Sequence, residues 1–461
     1  MHKIVNIGLL LLLAFIFFFR IDYTALESYD EAWYAAIARN IVSNRNPFIL
    51  EFNDTHFQDH PPLGYIFMAI PTAIGGSNEF TARFASAFFG IGSIVLIYLI
   101  GKKIKNSFVG ISSGAILLSS LWFMYRARSG NLDTQFFFWT VFIFFCLINL
   151  HNSKKYFYLL VAGFSAALLT KTLIGLGMLP VIAYYFWHER EKINFKSIFC
   201  LLAMFILLIS PWYIYHQVID PSFLQHHFIE IGTRGTNNIY SLTNLLRSSY
   251  YLQVGLGRWW KVFLFSIPLN LILWTRLKTI IKHWLALWIW LISFALPLMT
   301  ASTVEVWHLL PLYAPLSLLI SVVFFEWVEI IKGRYFSLSL LIGILVLAFV
   351  QFYQSANLLY LSQPRYSAEK QISLNARNYS PIFTMTHFYP AAVYYSQEKV
   401  IPLMHKPNSY QSMLDLLEKN KGVFIVDQKI INDLQRDSVD VFILSQEGDY
   451  YLIKHDSPQT Q

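Results

Sequence analysis

Charge is scarce in this chain. Of its 461 residues only 13% are Asp, Glu, Lys or Arg, while 56% are hydrophobic; a soluble domain carries about 25% charged residues. This excludes a single water-soluble core, because so much apolar surface needs lipid as its solvent. Cysteine is nearly absent: Cys146 and Cys200 both lie within apolar runs. A disulfide framework and a thiolate metal centre are therefore excluded. There is no internal repeat and no low-complexity tract. The opening MHKIVNIGLLLLLAFIFFFRID has no small-x-small cleavage site after its apolar stretch, so a retained first helix is expected rather than a cleaved signal peptide. The net charge of +8 is spread over short loops. It fits the basic bias of cytoplasmic loops and lacks the clustered basic face of a nucleic-acid binder.

What the sequence does have is a series of apolar runs. Eleven membrane spans are predicted, at 4–20, 81–100, 108–125, 134–150, 156–170, 173–187, 197–215, 258–275, 283–300, 308–328 and 335–353. With a cytoplasmic N-terminus, the short inner loops each hold at least two basic residues, while the loop 301–307 holds none. An odd number of spans then puts the C-terminus outside. Two outer loops are long, 21–80 and 216–257, and long ordered loops in compact proteins are more often functional than decorative. The first contains DEAWYAAIARNIV, which is expected to lie on the membrane surface as an amphipathic helix. From about residue 360 polar residues return. PIFTMT, KVIPLM, GVFIVD and DVFILS read as short strands, and SYQSMLDLLEKN and KIINDLQR as helices between them. The expected fold is an all-α polytopic membrane domain over 1–355 and a small extracytoplasmic α/β domain over 360–461.

Polar residues gather in the predicted outer loops. Asp30 and Glu31 follow the first span closely. Asp30 fits a helix cap and equally a carboxylate general base aimed at an acceptor hydroxyl. Asp59 and His60 precede Pro61 and Pro62, which fix the local chain. They add a second acid and an imidazole, and with His226 and His227 they are the side chains that would hold a divalent metal, although their spacing carries no zinc signature. The segment Arg126-Ala127-Arg128-Ser129-Gly130-Asn131-Leu132-Asp133 stands between two apolar runs, where charges are costly and tend to be functional. Lys171 sits in the turn between two short spans and suits a lipid phosphate as a point charge. Arg234 suits one as a bidentate fork. His308 and Tyr313 open the span that carries Pro311 and Pro315.

Taken together, Tyr-Asp-Glu-Ala-Trp-Tyr, Asp-His-Pro-Pro-Leu, Asn-Leu-Asp-Thr, Leu-Thr-Lys, Ser-Pro-Trp-Tyr and His-Leu-Leu-Pro-Leu-Tyr, in that order over residues 20–330, resemble the GT-C glycosyltransferases of the protein O-mannosyltransferase and lipid A aminoarabinose transferase superfamily, glycosyltransferase families 39 and 83. The resemblance implies a sugar donor linked to undecaprenyl or dolichyl phosphate and inverting transfer outside the cytoplasm, with no nucleotide sugar. It implies Asp30 as the catalytic carboxylate, with Glu31 beside it and Asp133 as a further acid. Lys171, Arg128 and Arg234 would lie near the carrier phosphate. Asp59, His60, His308 and Tyr313 complete the expected substrate-binding set. The chain departs from the aminoarabinose branch in two places. It has Asp30-Glu31-Ala32-Trp33-Tyr34 for Asp-Glu-Thr-Arg-Tyr, and Asp59-His60-Pro61 for Glu-Lys-Pro. Two basic residues are thus missing, and the sugar and acceptor are left open.

The expected partners are a polyprenyl-phosphate-linked sugar, an extracytoplasmic acceptor and membrane lipid, with a divalent metal as the one cofactor considered. A transporter or lipid flippase has the same hydropathy, but such folds place polar groups at mid-membrane, and here they gather at one face. A non-catalytic assembly factor is the second alternative.

Overall fold

A computed structural model describes residues 2–190, 195–231, 241–272, 280–331, 334–361, 364–404 and 406–455. The chain forms two compact units. The first comprises Met1–Phe19, Gln58–Gly64 and Ala85–Ser362; the second comprises Arg20–Phe57, Tyr65–Phe84 and Gln363–Gln461.

The first unit is helical. Among the described residues, Glu79–Ile104, Ile198–Ile219, Ile281–Thr300, Val306–Ile330 and Tyr335–Tyr360 are long and apolar enough to cross a membrane, and the protein is an integral membrane protein. Shorter apolar helices include Asp133–Asn149 and Lys155–Thr170. The predicted pair 156–170 and 173–187 is two helices, joined by the 3-10 turn Leu173–Met178. The predicted span 108–125 is broken: Ser107–Leu118 and Leu121–Ala127 meet at 73°. The cause lies at the joint, where Ser119 and Ser120 turn their hydroxyls back onto the carbonyl of Ile116. Such bonds compete with the helical ladder and bend helices.

Groups freed at this joint find partners. Gln351 Nε2 donates to the carbonyl oxygens of Ser119 and Leu256 at 2.9 and 3.0 Å, and Trp259 Nε1 donates to Ser119 Oγ at 2.8 Å. A buried glutamine in an apolar helix is thereby satisfied, as burial requires. Gly257 lies against Gln351 with φ at +59°, where a Cβ would come within 2.7 Å of Gln351 Oε1, so only glycine fits. Around these elements Phe144, Trp290 and Phe294 are fully buried, with the rings of Phe144 and Trp290 5.1 Å apart.

The second unit contains a five-stranded sheet in the order Val400–Pro402, Ile382–Thr384, Val423–Asp427, Tyr450–His455, Val441–Glu447. The first three strands are parallel and the last two join antiparallel. The four strand-like runs and both helices expected here are present. Tyr450–His455 and the helices Ala368–Asn375 and Tyr389–Ser396 are additional. Phe383, Phe424, Ile453, Met413 and Leu417 form the buried core on one side of the sheet.

The unit also takes in Arg20–Phe57 and Tyr65–Phe84. Asn53 pairs with the backbone of Val400 in both directions, at 2.8 and 2.9 Å. The Leu26 amide donates to Tyr395 Oη at 2.8 Å. Asp30–Asn44 is a helix, as expected, but an interior one: Glu31, Ala32, Tyr34, Ala35, Ala36, Ile37, Ala38 and Ile41 are all buried. Its alanines let neighbours close on most of its circumference, which corrects the expected surface-lying helix. Leu63–Gly75 is a further helix, standing within what the apolar runs alone mark as the long loop 21–80.

Candidate active site

Three elements of the first unit bring charge together. The short helix Leu121–Ala127, set at an angle by the serine joint, carries Arg126 on its last turn. Asp133 is the first residue of Asp133–Asn149, where the helix dipole favours a carboxylate. Lys171 ends Lys155–Thr170 in an extended conformation. Asn131 builds the loop between the first two. Its Nδ2 donates to the carbonyls of Arg126 and Ser129 at 2.5 and 2.7 Å, and its Oδ1 accepts from the Thr134 amide at 3.0 Å. Gly64 closes the loop from outside, because a Cβ there would meet Leu132 Cδ2 at 2.5 Å.

The result is a buried triad. Asp133 Oδ2 accepts from Arg126 Nη2 and Asp133 Oδ1 from Lys171 Nζ, each at 2.5 Å. The side chains of Arg126 and Asp133 are 5% exposed, and that of Lys171 11%. Two cations face one carboxylate, so the triad holds one unit of positive charge in excess. Lys171 is its most open member. The Arg126 guanidinium also lies 4.7 Å over the ring of Trp307, a favourable stack for a cation.

Histidines surround the triad. His308 Nδ1 accepts from the Glu305 amide at 3.1 Å. Burial, reinforced by the charge of Lys171, pushes the His60 imidazole down from 6.5 to about 3, so at neutral pH it is uncharged and both donates and accepts. The sign for stability follows. The folded state resists protonating His60, so the stability it contributes is complete above pH 6.5 and is lost as pH falls towards 3. We expect His60→Gln to flatten the fall in melting temperature of the purified protein between about pH 7 and 4; an unchanged profile would show that His60 is not the group concerned.

His227 is buried and engaged at both nitrogens, Nε2 with Thr172 Oγ1 at 2.7 Å and Nδ1 with the Gln58 carbonyl at 3.0 Å. Tyr213 Oη donates to the same Thr172 hydroxyl at 3.1 Å. His226 pairs with Glu230 at 2.7 Å, and its Nε2 stands 3.8 Å from Asp59 Oδ1. Among the described residues no group of three or more His, Cys, Asp or Glu side chains is placed to hold a metal ion. Asp59, His60, His226 and His227 are thus not gathered as a ligand set.

Arg128 donates to the carbonyls of Ile16, Phe17 and Phe19 at 3.1, 2.7 and 2.8 Å and stacks on Tyr360. It ties down the end of the first helix, and Arg126 takes the place beside Asp133. Tyr313 is fully buried, with its hydroxyl against Gly255, where a Cβ would come within 1.9 Å of Oη. Arg234 lies outside the described residues. In the second unit, Glu31 forms a bidentate pair with Arg83, Oε1 to Nε at 2.7 Å and Oε2 to Nη2 at 2.8 Å, and accepts from the Glu27 amide. Arg83 in turn donates to the carbonyls of Ile21, Thr24 and Ala25. Glu31 therefore positions the stretch of chain that leads into Asp30. Asp30 itself is the first residue of its helix, half-buried, while Tyr29 occupies the cap position.

Thr172, the residue after Lys171, lines a groove of about 320 Å³ with Leu168, Leu176, Phe205, Ile209 and Tyr213 among others. Apart from Thr172, Ser210 and the edge of Tyr213 its walls are apolar. Arg126, Thr172, Tyr213 and Gln58 belong to the site without being among the residues expected from the sequence. The Ser-Pro-Trp-Tyr motif contains Tyr213, and a seven-residue separation of Arg126 from Asp133 across a helix break is the signal for a loop that joins a pair.

Three comparisons bear on this arrangement. The family model for dolichyl-phosphate-mannose-protein mannosyltransferase matches residues 59–215. An undecaprenyl phosphate-alpha-4-amino-4-deoxy-L-arabinose arabinosyl transferase from Wigglesworthia glossinidia brevipalpis is 30% identical over 318 residues, 65% of this chain and 55% of that one. The chain spans about half the length of the curated relatives it matches. Among solved structures, ArnT from Cupriavidus metallidurans bound to undecaprenyl phosphate superimposes with a TM-score of 0.76 over 97% of both chains at 14% identity. The archaeal oligosaccharyltransferase AglB from Archaeoglobus fulgidus, in complex with an inhibitory peptide and a dolichol-phosphate, gives 0.58 over 100% of this chain and 75% of its own at 12% identity. The chain therefore has the fold seen in ArnT, and over residues 59–215 it carries the sequence pattern of the dolichyl-phosphate-mannose-protein mannosyltransferase model.

Proposed function

We propose that the protein is a glycosyltransferase that moves a sugar from a polyprenyl-phosphate carrier to an acceptor outside the cytoplasm. The chief support for this reading is the excess positive charge of the Arg126–Asp133–Lys171 triad, together with an apolar groove lined by Thr172, the residue that follows Lys171. A phosphate on a long hydrocarbon tail is the ligand that satisfies both. Its tail would occupy the groove and its phosphate would face Lys171. Similarity in sequence to a transferase named for an undecaprenyl-phosphate donor supports the reading.

The chemistry is one in-line displacement. The acceptor oxygen forms a bond to the anomeric carbon. The bond from that carbon to the phosphate oxygen breaks, and the electron pair leaves with polyprenyl phosphate. Charge grows on the leaving phosphate, and pre-placed cations offset it without reorganisation. Neutral His60 can donate and accept hydrogen bonds but adds no charge. If the acceptor is a hydroxyl, its proton passes to the carboxylate of Asp30. Asp133 holds the two cations in position, and Glu31 holds the chain before Asp30.

The membrane arrangement in this reading is eleven spans with a cytoplasmic N-terminus in a bacterial inner membrane. The sheet-bearing unit is then extracytoplasmic. The test uses the purified chain with a labelled polyprenyl-phosphate sugar and a cell-envelope extract. A transferase releases polyprenyl phosphate. Asp30→Asn should slow that release by roughly 10²-fold, the lower range for loss of a general base, with melting temperature unchanged. Movement of intact donor across sealed vesicles without release would instead identify a transporter.

A further inference from the structure

A second cavity of the first unit has none of the triad residues in its lining. Its volume is about 490 Å³, and its lining includes Gln253, Arg258, Lys261, Gln351, Gln354 and Leu358. Arg258 and Lys261 stand three apart at the start of the helix Arg258–Ile272, hence on one face. Gln351 forms the floor. It is 6% exposed and fixed by the three bonds that seal the serine joint: two donated to Ser119 and Leu256, and one accepted from the Arg258 amide at 2.8 Å. Arg258 Nη1 donates to Gln354 Oε1 at 2.7 Å, a neutral partner that orients the guanidinium without offsetting its charge. No acidic residue lines the cavity among the described residues, so it carries two positive charges. Leu121, Val254 and Leu358 supply an apolar side.

We infer that this cavity binds the phosphate headgroup of a membrane lipid, as a site separate from the carrier-phosphate triad. Two exposed cations can each reach water singly. Here, however, they converge on a built cavity with a rigid, fully bonded polar floor and an apolar wall. That combination fits an amphiphile whose head is anionic. Arginine and lysine are both phosphate ligands, the first through its fork and the second as a point charge. The inference does not depend on the transfer reaction, because any lipid whose phosphate head carries a net negative charge would satisfy it: a resident anionic phospholipid, or a lipid acceptor.

The test is binding of dioctanoyl phosphatidylglycerol to the delipidated full chain in detergent, read by native mass spectrometry, with dioctanoyl phosphatidylcholine as control. The wild type should prefer phosphatidylglycerol, and the double variant Arg258→Gln/Lys261→Gln should weaken its binding at least tenfold while leaving phosphatidylcholine binding unchanged. The charge-keeping swap Arg258→Lys/Lys261→Arg should retain most of it, which separates loss of charge from loss of fold. Equal phosphatidylglycerol binding in wild type and double variant would overturn the site. The lipid that copurifies with wild type but not with the double variant distinguishes the sources by mass, a phospholipid from a larger phosphorylated glycolipid. A failure of transfer activity with this binding intact would count against the proposed reaction alone.

Discussion

Replacing Lys171 with methionine should lower kcat/KM for a polyprenyl-phosphate sugar by about 10²–10³-fold, the range for removing one pre-placed charge stabiliser, about 2.7–4 kcal/mol. Methionine keeps roughly the length of the side chain and removes the charge. Asp133 keeps Arg126 as a partner at 2.5 Å, so the loss falls on catalysis rather than on folding. The triad then goes from one excess positive charge to none, and the leaving phosphate loses its most accessible cation. Lys171→Arg should recover part of the rate, since it restores charge with a different shape. Steady-state release of polyprenyl phosphate measures both variants. A loss of less than threefold in Lys171→Met would mean that the leaving group is stabilised elsewhere.

The largest effect on stability is expected for Asp133→Asn. The substitution leaves two buried cations facing each other with no carboxylate between them. Breaking a buried pair by removing one partner costs about 3–5 kcal/mol. It should register as a strongly lowered melting temperature or as loss of the folded protein from detergent extracts. Adding Lys171→Met to Asp133→Asn removes one of the stranded cations. The double variant should therefore be more stable than Asp133→Asn alone, the non-additivity expected of groups in one network. A double variant no more stable than the single would show that the charges are not coupled as the distances imply.

Much of the fold is legible in the chain because its signals are local. Apolar runs mark the helices, and alternation with turn residues marks four strands of the sheet. The parts that escape are set by contacts between distant residues. Tyr450–His455 is flanked by charge and takes its place through pairing on both sides. The helix Leu63–Gly75 carries Pro71 and lies between polar loops, so its apolar run looks too short to stand alone. In the site, Asp133 and Lys171 are legible as costly charges among apolar neighbours. The choice between Arg126 and Arg128 is not. Residues two apart on a helix face nearly opposite directions, and which one meets Asp133 depends on the 73° bend between Ser107–Leu118 and Leu121–Ala127. Glu31 is readable as an acid beside Asp30, and its pairing with Arg83 across 52 residues comes only from the folded chain.

In the proposed reaction the Lys171 triad recognises a phosphate carried on a prenyl tail. Equilibrium binding of polyprenyl phosphate and of the uncharged polyprenol to the full chain, wild type and Lys171→Met, tests it directly. Wild type should prefer the phosphate at least tenfold and the preference should largely disappear in the variant, while polyprenol binds both alike. Equal affinity of wild type for the two lipids, or an undiminished preference in Lys171→Met, would contradict it.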